Sequence, residues 1–190
     1  IRMTGYDHDN PGSTYTNAFS TAYDGTYNSV CPSNKSRKFT VVFEGTNIKL
    51  ITKDYNENGC ATREGEHVNY STFTLGDNVT VAKNSDNVSA QKITITKKKH
   101  TYMFMKDSDT NSANSTSACG FSDWETNVAK DISSGINQPG CASDVRAIGD
   151  VNKTVILKIG SNIWFGDDSG SRDSDNFTTR IDNGTTWEKK

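Results

Sequence analysis

Cys31 and Cys60 stand on either side of a strand-like pair, and few folds satisfy both facts at once. Between them run Arg37-Lys38-Phe39-Thr40-Val41-Val42-Phe43 and Ile48-Lys49-Leu50-Ile51-Thr52-Lys53-Asp54-Tyr55. Phe39, Val41 and Phe43 share one face at period two, and so do Ile48 and Leu50. That is the pattern of two half-buried strands. Glu44-Gly45-Thr46-Asn47 is the turn between them. A hairpin brings its outer ends together, so the reading is an antiparallel hairpin with Cys31 bonded to Cys60 across its open end.

Four cysteines, an even number, suit an oxidising compartment. The sequence-local pairing adds Cys119–Cys141 to Cys31–Cys60. No Cys-x-x-Cys occurs, which argues against zinc-ribbon or thioredoxin-like chemistry. The chain starts at Ile1 rather than Met, so we expect that a leader, which could have carried a lipid anchor, has been removed. No apolar run approaches the roughly 18 residues a membrane helix needs. The expected location is therefore secreted, periplasmic or at the cell surface. Eight Asn-x-Ser/Thr sequons, at Asn34, Asn69, Asn78, Asn87, Asn114, Asn152, Asn176 and Asn183, permit glycosylation without arguing for it.

A chain of 190 residues suits one domain. Residues 1–20 read as a polar arm and residues 21–190 as a single β-domain. Mean hydropathy is low, at -0.72, yet the apolar residues are patterned rather than scattered. Further strands are expected at Val68–Leu75, Val79–Ala82, Lys92–Thr96, His100–Met105, Thr154–Ile159, Ile163–Asp167 and Phe177–Asp182. Gly76-Asp77-Asn78, Lys97-Lys98-Lys99 and Gly160-Ser161-Asn162 read as turns. Residues 107–118 read as a flexible loop. Ser122-Asp123-Trp124-Glu125 has capping-box spacing and predicts a helix with Trp124, Val128, Ala129 and Ile132 on one face, stopped near Gly135. Strands joined by hairpins predict an all-β, antiparallel up-and-down barrel of about eight strands, with one short helix before the last hairpin. A sandwich is the runner-up.

Gly25-Thr26-Tyr27 with a cysteine four residues on, Tyr55 before Cys60, and Ile159-Gly160-Ser161-Asn162-Ile163-Trp164-Phe165-Gly166-Asp167 resemble small secreted lipocalin-like β-barrel domains, including bacterial lipoprotein-type ones. The likeness covers about residues 24–182. It implies that Tyr27 stands where lipocalins carry a first-strand Trp, and that Arg180 is the arginine closing the barrel over it. Lipocalins place their helix after the eighth strand, whereas here it is expected earlier.

The expected function is non-enzymatic binding. A small apolar ligand would lie among Tyr27, Phe39, Phe43, Tyr70, Tyr102, Phe104 and Trp164. Trp164 is expected to face the interior or a partner surface, with Arg180 beside it. The alternative is a surface adhesin or carbohydrate-recognition domain for a surface glycan, assisted by calcium on Asp167, Asp168, Asp173 and Asp175. A further alternative is haem or copper at His100, Met103 and Met105, but on a strand the methionines face away from His100. No cofactor other than that calcium is expected. Asp54-x-Asn56-x-Asn58-Gly59 opens like an EF-hand loop, but position twelve is Gly65. Gly-x-Ser-x-Gly and His-Glu-x-x-His are absent, and the net charge of -2 argues against nucleic acid.

Overall fold

A computed structural model describes residues 21–31, 36–57, 59–141 and 147–190. The expected arm at 1–20, the sequon at Asn34 and the turn residue Asn58 lie outside these. Strands β1 (Gly25–Ser29), β2 (Arg37–Glu44), β3 (Asn47–Tyr55), β4 (Arg63–Lys83), β5 (Asp86–Phe104), β6 (Lys130–Asp131), β7 (Val151–Ile159), β8 (Asn162–Phe165) and β9 (Trp187–Lys189) form one sheet. Pairing runs β1-β2-β3-β4-β5-β7-β8-β9 and back to β1, all antiparallel, which closes an eight-stranded barrel. The two-residue β6 pairs with Thr101 and Tyr102 of β5, beyond the stretch of β5 that β7 takes. The expected up-and-down barrel is what forms, and both expected disulfides are present, with Cα separations of 6.2 Å for Cys31–Cys60 and 4.7 Å for Cys119–Cys141.

The first hairpin follows its pattern. Phe43 opposes Ile48 beside the turn, Val41 opposes Leu50, and Arg37 opposes Asp54 at the far end. At the turn end the lumen is filled. Tyr23, Tyr27, Phe43, Ile48, Phe73, Ile93, Ile156 and Ile163 are buried together there, with edge-on contacts of Phe43 to Tyr27 and Phe73. Gly25 has φ +138°, and a Cβ there would stand 2.7 Å from Cε of Lys189. The glycine lets Lys189 cross to donate to the Asp24 carbonyl at 3.0 Å, with its ammonium 5.9 Å from the Tyr27 ring centroid. The cation over the first-strand aromatic is thus Lys189 and not Arg180.

Four local expectations are corrected. Gly76-Asp77-Asn78 and the lysine run do not turn the chain; they are irregularities inside two long strands, with register shifts between Leu75 and Asn78 and between Tyr70 and Ser71. The turn itself is at Asn84-Ser85, where Asn84 takes φ 55°. The ladder partners available along 19 to 21 residues outweigh two weak local turn signals.

The helix lies at α1 (Asp107–Thr116), in the expected loop, while 122–129 holds turns. Asp107 and Asp109 suit the positive N-terminus of α1, and Ser117 ends it in a left-handed conformation. Trp124 settles the matter. Its ring packs on Phe104 and Tyr102, and Asn114 of α1 accepts from its backbone N–H at 2.6 Å and donates to its carbonyl at 3.0 Å. Burying the indole against β5 outweighs the capping-box signal.

The last barrel strand is β9, not Phe177–Asp182. That segment instead crosses the outside of the barrel. Ile181 is bridged to Gly166 and donates to the Ala82 carbonyl, and Thr178 takes the Val155 N–H. It covers a second apolar cluster of Val81, Ala90, Val155, Leu157 and Ile181, with Trp164 packed against it. Thr154, Val155, Ile156 and Leu157 are consecutively buried for this reason: both faces of β7 are covered.

Candidate functional site

Alternation along the strands decides what enters the lumen. On β2 and β3 these are Phe39, Val41, Ile48, Leu50 and Thr52, and on β4 His67, Asn69 and Ser71. On β5 they are Ile95 and Lys97; the strand then slips by one residue, and His100 points inward in place of Lys99. Asn152 and Thr154 of β7, Phe165 of β8 and Trp187 of β9 complete the wall. They enclose a cavity of about 400 Å³ toward the end where Arg37 meets Asp54, within the usual range for small-ligand sites. One side is apolar, from Phe39, Val41, Leu50, Phe165 and Trp187. The other is polar, from β4, β5 and β7.

The polar side contains two linked pairs. Nε2 of His67 lies 2.7 Å from Oδ2 of Asp54, whose Oδ1 accepts from Nε of Arg37 at 2.8 Å. Burial pushes the Asp54 carboxyl up, but the hydrogen bonds and charges of His67 and Arg37 outweigh that and hold it below its ordinary value. Nζ of Lys97 lies 3.0 Å from Nδ1 of His100. Which of the two nitrogens donates follows the imidazole tautomer. Lys97 is 7% exposed and His100 1%. His67 packs edge-on against Tyr102 at 4.3 Å and lies 5.7 Å from the ring of His100. Burial first, then the negative charges of Asp54, Asp109 and Glu64, push the Tyr102 hydroxyl up to about 12.

Of the seven aromatics expected to line a ligand site, Phe39 alone lines this cavity. Tyr27 and Phe43 fill the closed end. Tyr102 and Phe104 sit on the inward face of β5 but are packed beneath Trp124. Tyr70 lies outside, with the Lys99 ammonium 5.8 Å from its ring. Trp164 lies outside too, half-buried in the second cluster, with Nε1 donating to Thr186 and the Lys83 ammonium 4.9 Å from the ring centroid. Arg180, expected beside it, is bound to Asp167 at 2.5 Å and 3.1 Å instead. The basic run is not a solvated turn: Lys98 and Lys99 are exposed, but Lys97 and His100 are buried.

The acidic loop carboxylates are each held by a cation of the chain. Asp167 faces Arg180, Asp168 faces Arg172 at 3.1 Å, and Lys92 reaches Asp173 at 2.9 Å and Asp175 at 3.3 Å. Among the described residues, no three His, Cys, Asp or Glu side chains gather in a way that could hold a metal ion, and no helix is long and apolar enough to cross a membrane. Two sequon asparagines, Asn69 and Asn152, line the lumen, whereas Asn78 and Asn87 are exposed near the tip of the β4–β5 hairpin.

Sequence reasoning passed over His67 and Trp187 as lining residues, read Lys97 as part of a turn, and weighed His100 only as a haem or copper ligand. A signal existed for two of them. Ile93, Ile95 and Lys97 continue one period-two face, and His67, Asn69, Ser71 and Phe73 form another. His100 had none, because its inward aim depends on the one-residue slip in β5. Compared with known proteins, the chain matches no family model, and no curated protein matches it.

Proposed function

We propose that this chain is a secreted or cell-surface binding protein that holds a small, largely apolar ligand in the barrel lumen. The observation that carries the reading is the cavity of about 400 Å³ between an apolar wall and a polar one. A barrel whose side chains only filled it would be packed to organic-crystal density throughout, as the Tyr27–Phe43–Phe73 end is. Two disulfides support an oxidising location. Among the described residues, no Ser, Cys or Thr side chain is joined by a hydrogen bond to the Asp54–His67 pair beside the lumen, which supports binding more than turnover.

Native mass spectrometry of the purified protein tests this, read beside displacement of a fluorescent apolar probe. Binding is expected in the wild type and its loss in Ser71→Trp, which fills the lumen from β4. Equal probe binding by a folded Ser71→Trp variant would place the site elsewhere.

A further inference from the structure

We infer that the lumen's ligand is an uncharged amphiphile whose head carries several hydroxyl groups, a polyol or a sugar, seated against Thr52, Asn69, Ser71 and Asn152. The inference rests on the lumen-binding reading above and adds the chemical class of what is bound.

Charge in the lining is balanced. Arg37 and Lys97 bring two cations, and Asp150 and Asp168 bring two carboxylates. His67 is already shared with Asp54. A charged head of either sign would give up its hydration and meet like charges in the same wall. An uncharged head meets no such opposition.

The polar side is otherwise built from neutral groups. Thr52 comes from β3, Asn69 and Ser71 from β4, and Asn152 from β7. Each carboxamide and each hydroxyl can both donate and accept. The polar atoms of these four side chains make no hydrogen bond to another described residue. Thr52 is nonetheless only 9% exposed. Whatever fills the lumen therefore has to offer both roles or leave polar atoms unmatched. A carbonyl or an ether only accepts, whereas a hydroxyl does both.

Spacing shows that one hydroxyl is too few. Asn69 and Ser71 stand two positions apart on β4, about 7 Å. Asn152 lies across β5, two strand spacings from β4, which is about 10 Å. A patch of that size is spanned by a head with several hydroxyls. Phe39, Val41, Leu50 and Trp187 on the facing side then receive its hydrocarbon body.

The test is a matched set of probes on one decyl chain: decyl glucoside, 1-O-decylglycerol, decanol, decanoate and decylamine, each kept below its micelle concentration. Affinity is read by calorimetry and by emission of Trp187, which lines the lumen, against a Trp187→Phe control. At least one polyhydroxyl probe is expected to bind about tenfold or more tightly than decanol, with neither charged probe better than decanol. The order of glucoside and glycerol ether tells a sugar from an open polyol. Asn69→Leu is expected to remove most of the preference for the polyhydroxyl probes over decanol. Decanol binding as tightly as both polyhydroxyl probes, or a charged probe binding tightest, overturns the hydroxyl-head inference and leaves lumen binding standing. Failure of every probe to bind overturns both. The wild-type ranking decides the matter even if Asn69→Leu does not fold.

Discussion

Asp54 shows how one side chain can couple the barrel wall to its cavity. It joins Arg37 of β2 to His67 of β4 from the strand between them. Asp54→Asn removes the charge and keeps the shape. It is expected to cost roughly 1–2 kcal/mol at neutral pH, by analogy with lost charge-assisted hydrogen bonds. The folded carboxyl titrates below its ordinary 3.8. Its contribution is therefore complete above 3.8 and is lost as pH falls through the lower folded value. Urea titrations of the two proteins should converge in strong acid; a gap that persists there would mean that the ion pairs are not its source. Gly25 makes a separate case. Gly25→Ala forces a Cβ onto a backbone at φ +138° and into the path of Lys189. A loss of about 1–3 kcal/mol is expected, read as a lower melting temperature. Lys189→Ala should relieve the clash but not the backbone strain, so a partial rescue is the predicted outcome.

At the scale of elements, the chain has cores on both sides of its wall near β7 and β8. Trp164 belongs to the outer one, with Val81, Val155, Leu157 and Ile181. Trp164→Ala is expected to cost about 1–3 kcal/mol through lost packing and the lost Lys83 contact, and to leave lumen affinity unchanged. A change in ligand affinity without loss of stability would return Trp164 to the ligand site. The excursion between β5 and β7 is an element of another kind. Its helix has weak intrinsic propensity and is held from outside, by Asn114 on Trp124 and by the hydroxyl of Thr126 on Asp107 at 2.6 Å. Helix position was illegible here because the deciding contacts join α1 to residues that follow it by ten or more positions. The β4–β5 hairpin was misread similarly: its two internal irregularities carry turn-like residues, and only the ladder of the partner strand shows that the chain continues straight through them.

For the whole molecule, the two disulfides act at different places. Cys31–Cys60 closes 29 residues at the cavity end of the first hairpin, and Cys119–Cys141 closes 22 within the excursion. On chain entropy each is worth about 3–4 kcal/mol, a model-dependent figure. Replacing Cys31 and Cys60 with Ser is expected to lower the urea midpoint of the whole barrel in one transition. Replacing Cys119 and Cys141 should first loosen the Trp124 cluster, seen as a fluorescence change preceding barrel unfolding. A single coincident transition in both variants would show that the excursion is not a separable unit.

What the sequence determined by itself is local. Phe39-Val41-Phe43 against Ile48-Leu50, the turns at Gly45 and Gly160, and the antiparallel return of β2 into β3 and of β7 into β8 follow from periodicity and short-range return of the chain, and both cysteine pairings follow from proximity along the chain. Tertiary structure decided the rest. It moved the last barrel strand to Trp187–Lys189, sent Phe177–Asp182 across the outer wall, and turned Lys97 and His100 inward while leaving Lys98 and Lys99 in solvent. The physical reason is that a strand has two faces and periodicity only says which residues share one. Which face becomes the lumen, and where a one-residue slip exchanges them, depends on the partner strands that close the barrel and on what covers its outside.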